Sequence, residues 1–219
     1  MITLYQQIFK CTPEVESYNL YCLNKNLKNK FINKIVLFFE KKCDIPLFDK
    51  EKIEFVEVNK RISYKDWIDF SKKNKGVKIL ANSDVYLDET VGCLLKIEWK
   101  NTLVILSRKD LTKKGEIIES EVFHNSGKKI NPKCSQDAWA YKDNLREFYC
   151  DFKLGYWHCE SRFRTAAIES NINVKNLTNY INVIHVDWRN QEQKKKDHSY
   201  SYSNSKIKNL PLHSEKIFL

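Results

Sequence analysis

The stretch that most constrains this chain runs from Val77 to Asp88, a short apolar run (Val77-Lys78-Ile79-Leu80-Ala81) that stops abruptly on Asn82-Ser83-Asp84. It follows the turn signal Lys75-Gly76, is too short to span a bilayer and is too apolar for an exposed edge, so it reads as a buried strand. In open α/β sheets ligands bind in the crevice beyond the carboxyl ends of such strands. Asn82 and Asp84, on alternate residues, would face one side there. Two hard oxygen ligands so placed suit a divalent cation held largely by a bound phosphate. The same three residues also make an ordinary polar loop capping a strand.

The flanking sequence repeats the pattern. Ile2 to Phe9 reads as a strand, and Thr12-Pro13 opens a helix from Glu14 to about Lys30, with Thr12 as N-cap and Pro13 at the first helical position. Lys34 to Glu40 follows as a Val/Ile/Phe-rich strand, completing a βαβ unit that implies a parallel sheet. Ile53 to Val58 alternates as a half-exposed strand, and Ser63 caps a second helix to Lys73. Beyond the organising stretch, Thr102 to Leu106 is another buried strand, and residues 109 to 133 read as a hairpin or mobile loop. Ser135 to Tyr141 is an ordered structural or binding segment, Phe148 to Leu154 a candidate strand, Glu160 to Glu169 a helix, and Asn179 to Val186 the last strand, carrying His185.

The 219 residues, 42% hydrophobic, suffice for one core of ordinary size. The expectation is one domain over 1–190 and a basic tail over 191–219 rich in Lys, Ser, Asn and Tyr, too polar to bury much. No leader-like or spanning apolar segment stands out, so a soluble, cytoplasmic protein is expected. Seven cysteines without a C-x-x-C pair fit a reducing compartment rather than a disulfide framework or zinc knuckle. A net charge of +10 suits an anionic partner without naming it; the high Lys and Asn content is also what an AT-rich genome produces.

Taken in order, the Asn82-Ser83-Asp84 strand end, Leu106-Ser107-Arg108, Ser135-Gln136-Asp137-Ala138-Trp139, Asp151-Phe152-Lys153-Leu154-Gly155 with Glu160 before a helix, and His185 on the last strand resemble a GT-A fold glycosyltransferase. More narrowly, the chain looks like the small glycosyltransferase-like proteins of large DNA viruses, phages and bacteria, which would put a viral member in the host cytoplasm. The resemblance covers roughly residues 1 to 190. It implies an α/β fold with a Rossmann-like, mostly parallel central sheet flanked by helices. It also implies a metal-dependent transfer of sugar from a nucleoside diphosphate sugar, UDP-linked or GDP-linked, to a glycan or glycoprotein hydroxyl.

On the matching positions, Asn82-Ser83-Asp84 stands for the Asp-x-Asp motif, with Asp84 binding Mn2+ or Mg2+ at the donor diphosphate. His185 stands for the carboxy-terminal metal ligand, with Asp187 on the same strand face. Glu160 is the candidate general base and Asp137 its rival. Each has a plainer reading: a helix-start acid for Glu160 and Asp137, a structural histidine for His185. Gln6, Gln7, Glu40 and Arg61 are expected near base, ribose and phosphate, Arg108 near the diphosphate, and Trp139 and Trp157 against the acceptor.

Two other readings use the same residues. Asp84 with Glu98-Trp99-Lys100 has the layout of a PD-(D/E)xK nuclease, which the basic charge would suit; the glycosyltransferase reading expects no nucleic acid. The imperfect Asn-x-Asp also allows a catalytically silent GT-A-like interaction module.

Overall fold

The computed structural model describes residues 1–9, 11–40, 50–120, 122–123, 129–130, 136–142, 145–156 and 158–189; the tail expected over 191–219 lies outside them. Met1–Trp188 forms one compact unit.

The amino-terminal half is built as its periodicity requires. β1 (Ile2–Ile8) leads into α1 (Pro13–Lys28), whose first turn is capped by Thr12 accepting from the Val15 amide, with Pro13 where no donor is needed. β2 (Ile32–Phe39) and β3 (Ile53–Glu57) lie parallel to β1, and α2 (Tyr64–Ser71) starts in a reciprocal capping box between Ser63 and Asp66. β4 (Val77–Ala81) then pairs parallel to β1 on its other side. β1 and β4 are buried along their whole lengths, as strands covered on both faces must be.

From here the sheet is mixed. β5 (Val85–Leu87) follows β4 after the three residues Asn82, Ser83 and Asp84, and a 3-10 helix covers Glu89–Leu95. β6 (Thr102–Leu111) pairs with β10 (Gln136–Lys142), which lies antiparallel between β4 and β6. The far end of β6 pairs with β7 (Ile117–Glu119) as a hairpin and with β12 (Val183–His185), while its start pairs with β11 (Asn173–Asn176). β8 (Val122–Phe123) and β9 (Lys129–Ile130) form a separate two-stranded ladder. The spatial order of the main sheet is β3-β2-β1-β4-β10-β6-β12-β5.

One face of the sheet packs Ile2, Leu4, Ile35 and Ile79 against Leu23 of α1 and Val91 and Leu94 of the 3-10 helix. The other packs Tyr5, Val36 and Leu80 against Tyr64 and Trp67 of α2 and Phe163 of α3 (Cys159–Glu169). Among the described residues no helix is long and apolar enough to cross a membrane.

The described part of the Ser135 to Tyr141 segment, expected as ordered, is a buried central strand over Gln136–Tyr141. Two expectations are corrected. Phe148 to Leu154 forms no strand; its backbone instead bonds the start of α2, Tyr64 and Lys65 donating to the carbonyls of Phe152 and Cys150, with one bridge between Ser63 and Lys153. The final strand is shorter than expected, three residues, because only there does it find neighbours in β5 and β6.

Candidate functional site

The turn between β4 and β5 places Asp84, and the packing of α1 fixes the turn. Gln6, buried in β1, donates to the carbonyls of Asn82 (2.8 Å) and Val85 (3.4 Å), and its own carbonyl accepts from Asn26 of α1. Asn26 also donates to the Val85 carbonyl and accepts from the Leu87 amide, and Asn29 donates to the carbonyls of Leu87 and Asp88. Asn26 of α1 and Asn29 just after it therefore hold a short strand by its backbone. Gln6 is thus corrected from a ligand contact to a support: its side chain is spent on the protein and 1% exposed.

β12 brings His185 beside this turn. Val186 donates its amide to the Asp84 carbonyl, extending the β5–β12 ladder, and His185 Nε2 lies 3.4 Å from Asp84 Oδ2. The other ring nitrogen, Nδ1, lies 2.9 Å from Asp110 Oδ1 on β6. The ring is thus strung between two carboxylates. Burial opposes its charge, but Asp84 and Asp110 outweigh that and push the pKa up to about 9. Burial also opposes the Asp84 charge, and His185 and Arg108 more than compensate, holding its pKa below the ordinary carboxylate range.

Across the crevice, Asn82 turns its side-chain amide to Asp137 Oδ1 (2.5 Å), and its backbone amide donates to the Asp137 carbonyl. The expectation that Asn82 and Asp84 act together on one face is corrected accordingly: Asn82 orients Asp137, and the partner of Asp84 is His185. Arg108 links the two sides, with Nη1 3.7 Å from Asp137 Oδ2 and Nε 3.5 Å from Asp110 Oδ1. Glu160, in the first turn of α3, is held within electrostatic reach of Asp137 and Arg108. Burial, and to a lesser degree the Asp137 charge, raise its pKa to about 6.

A second cluster stands at the ends of β1 and β2. Glu40 Oε1 accepts from Arg61 Nε (3.2 Å) and Gln7 Nε2 (3.1 Å), and the Arg61 guanidinium lies 3.9 Å from the Phe9 ring centroid. Glu40 and Arg61 form an ion pair with each other, each about a third or less exposed. Gln7 is corrected from ligand contact to support, because its remaining bonds go to the Lys60 carbonyl and the Ile62 amide. A Cβ on Gly155 would stand 3.0 Å from Arg61 Nη1, and its φ of +73° suits glycine.

Trp139, expected to stack on an acceptor, is corrected to a core residue: it is fully buried, edge-on to Tyr64 at 5.0 Å. Trp157 lies outside the described residues. The nuclease layout is not formed either. Glu98 and Lys100 are exposed on a segment that is no strand, while Trp99 between them is buried and bonded to the Leu94 carbonyl. Reading the sequence missed Asp110. Its signal was the period-two spacing of Arg108 and Asp110 beyond a clear strand, which places both on one face.

Whether this site suits a divalent cation is testable on its atoms. Asp84 Oδ1 is buried and has no hydrogen-bond partner, an uncompensated acceptor beside a ring nitrogen. Among the described residues no group of three or more His, Cys, Asp and Glu side chains could hold a metal by itself. With only Asp84 and His185 as candidate donors, a cation here would have to draw its remaining ligands from a bound phosphate.

No protein-family model and no curated protein matches the chain. Solved structures do. The GalNAc-T7 structure with UDP, GalNAc and Mn2+ superposes with a TM-score of 0.52 over 86% of this chain at 10% identity. S. aureus TarS in complex with UDP-GlcNAc gives 0.53 over 88% at 12% identity. The mannosyltransferase PcManGT from Pyrobaculum calidifontis with GDP-Man and Mn2+ gives 0.50 over 87% at 10% identity. The chain spans 43%, 60% and 57% of those three chains respectively. At such identities the likeness is one of fold, and the fold of Met1–Trp188 is GT-A-like: a mixed, largely parallel sheet flanked by helices.

Proposed function

We propose that this protein is a metal-dependent glycosyltransferase that moves a sugar from a nucleoside diphosphate sugar, UDP-linked in the first instance, to a hydroxyl of a glycan or glycoprotein acceptor. The observation that carries the reading is the pairing of Asp84 with His185 at the end of β4, where one carboxylate oxygen is buried and unpartnered. That three solved GT-A glycosyltransferase structures hold a nucleotide or nucleotide sugar, two of them with Mn2+, supports it.

In this reading Asp84 and His185 hold the cation, with His185 giving up its Nε2 proton as binding requires. When bound, Mn2+ or Mg2+ would offset the charge that develops on the leaving nucleoside diphosphate. Arg108, tied to Asp137 and Asp110, sets a fixed positive charge between the donor and acceptor sides. Glu40 and Arg61, beside Phe9, form the nucleoside side of the crevice. Glu160 takes the proton of the acceptor hydroxyl. Its pKa near 6 leaves it ionised at neutral pH yet more basic than an ordinary glutamate, which is what a general base needs. Asp137 is less suited to that task because Asn82 and Arg108 both engage its carboxylate.

The test is thermal stabilisation by nucleoside diphosphates and their sugars, each with and without Mn2+. The expected outcome is a shift with one nucleotide that requires the metal and disappears in Asp84→Ala and His185→Ala. A folded protein that shifts with none of them overturns the reading.

A further inference from the structure

The end of β6 grips the last residue of β12 and the chain just after it, at one point each. Asp110 Oδ1 takes His185 Nδ1 at 2.9 Å, and the next residue, Leu111, accepts from Trp188 Nε1 at 3.0 Å through its carbonyl. The Trp188 indole is further wedged edge-on against Tyr18 and Tyr21 of α1, at 5.5 and 6.0 Å between ring centroids. The His185 side chain is 7% exposed, so it has little freedom beyond what these contacts allow. With Nδ1 committed to a carboxylate, the other nitrogen, Nε2, is the one directed at Asp84.

We infer that Asp110 is a positioning residue for cation binding: by accepting from Nδ1 it fixes the tautomer and ring orientation of His185, so that the Nε2 lone pair faces the ion held with Asp84. The inference rests on the proposed function, which supplies the ion. A carboxylate behind a ligating histidine fixes its orientation and raises its basicity, and losing such a partner typically costs about 10- to 100-fold in metal affinity. Asp110 is not needed as a ligand for this effect. Arg108 Nε lies 3.5 Å from the same oxygen and adds a second, charged contact to the carboxylate.

The experiment measures Mn2+ affinity directly, from the loss of the free-ion electron paramagnetic resonance signal, with UDP or GDP present and no sugar transferred. Asp110→Ala is expected to weaken binding by about 10- to 100-fold. Asp110→Asn, which keeps an oxygen acceptor for Nδ1–H, is expected to recover most of the loss. In a His185→Ala background, Asp110→Ala should have no further effect, since there is no ring left to orient. Thermal unfolding of each variant establishes that it is folded. Unchanged affinity in Asp110→Ala, or an equal loss with and without His185, overturns the positioning role while leaving the metal site standing. A wild-type protein that takes up no Mn2+ with either nucleotide overturns the proposed function, and this inference with it.

Discussion

Replacing Gln6 by Leu separates support of the site from contact with a ligand. The substitution keeps the side-chain volume and deletes three hydrogen bonds. The bond to the Asn82 carbonyl, 2.8 Å, is the strong one, and this partly buried acceptor losing its donor costs about 1–3 kcal/mol. The bonds to the Val85 carbonyl (3.4 Å) and from Asn26 (3.3 Å) are long, and the groups left behind still bond each other at 3.2 Å. They add about 0.5 kcal/mol each, the low end for a neutral bond. The expected loss is about 3 kcal/mol, which for a chain of this size lowers the melting temperature by about 6–12 °C. Urea unfolding followed by tryptophan fluorescence measures it, and Mn2+-dependent nucleotide binding is compared in the same samples below the transition. Because the Asn82–Asp84 turn loses a tether, affinity should fall along with stability. Stability unchanged within about 0.5 kcal/mol together with abolished nucleotide binding would refute the reasoning and return Gln6 to the ligand.

Other outcomes follow from single residues. The Glu160 pKa of about 6 lies above the ordinary value of 4.5, so the transfer rate should rise with pH through about 6, and Glu160→Gln should abolish that limb while leaving donor binding intact. The same shift acts on stability with opposite sign: a carboxyl that binds its proton more tightly when folded stabilises most below pH 4.5, and that contribution is lost as pH rises through 6, as urea midpoints across that window would show. Trp139→Ala should cost about 3–5 kcal/mol through the cavity it opens beside Tyr64, measured by denaturant unfolding; a mild loss would mean the indole is not core. Gly155→Ala, forced to φ +73° and against Arg61, should cost about 1–2 kcal/mol and weaken nucleotide binding, and Arg61→Ala in the same protein should relieve the crowding but not the backbone strain.

The elements read correctly from the sequence were those whose burial is decided locally. The first βαβ unit carries its own period, cap and proline, and β4 announces itself because a strand covered on both faces is mostly apolar, here Val77, Ile79, Leu80 and Ala81 around one lysine. Elements specified by their neighbours were harder to see. β10 contains Gln136, Asp137 and Lys142 and no β-branched residue, and it becomes a central strand because β4 and β6 both offer it ladder partners. β5 is only three residues long and β11 is short and partly polar, and pairing makes them strands.

The candidate site divides along the same line. Asp84, Glu160 and His185 could be named beforehand because each ends or begins an element in a recognisable order. The roles of Gln6, Gln7, Asn82 and Trp139 could not, since a polar or aromatic side chain at a strand end reads the same whether it faces ligand or protein. Its neighbours decide, and they stand far away in the chain: Gln6 meets Asn82 across 76 residues, and Asp110 meets His185 across 75. Capping, chain stiffness and hydrophobic period act over a few residues, so they told where the first βαβ unit, α2 and β4 begin and which chemistry sits at their ends. Only the tertiary structure decided which carboxylates face each other and which are buried, because hydrogen bonding and desolvation depend on atoms that the chain brings together only when folded.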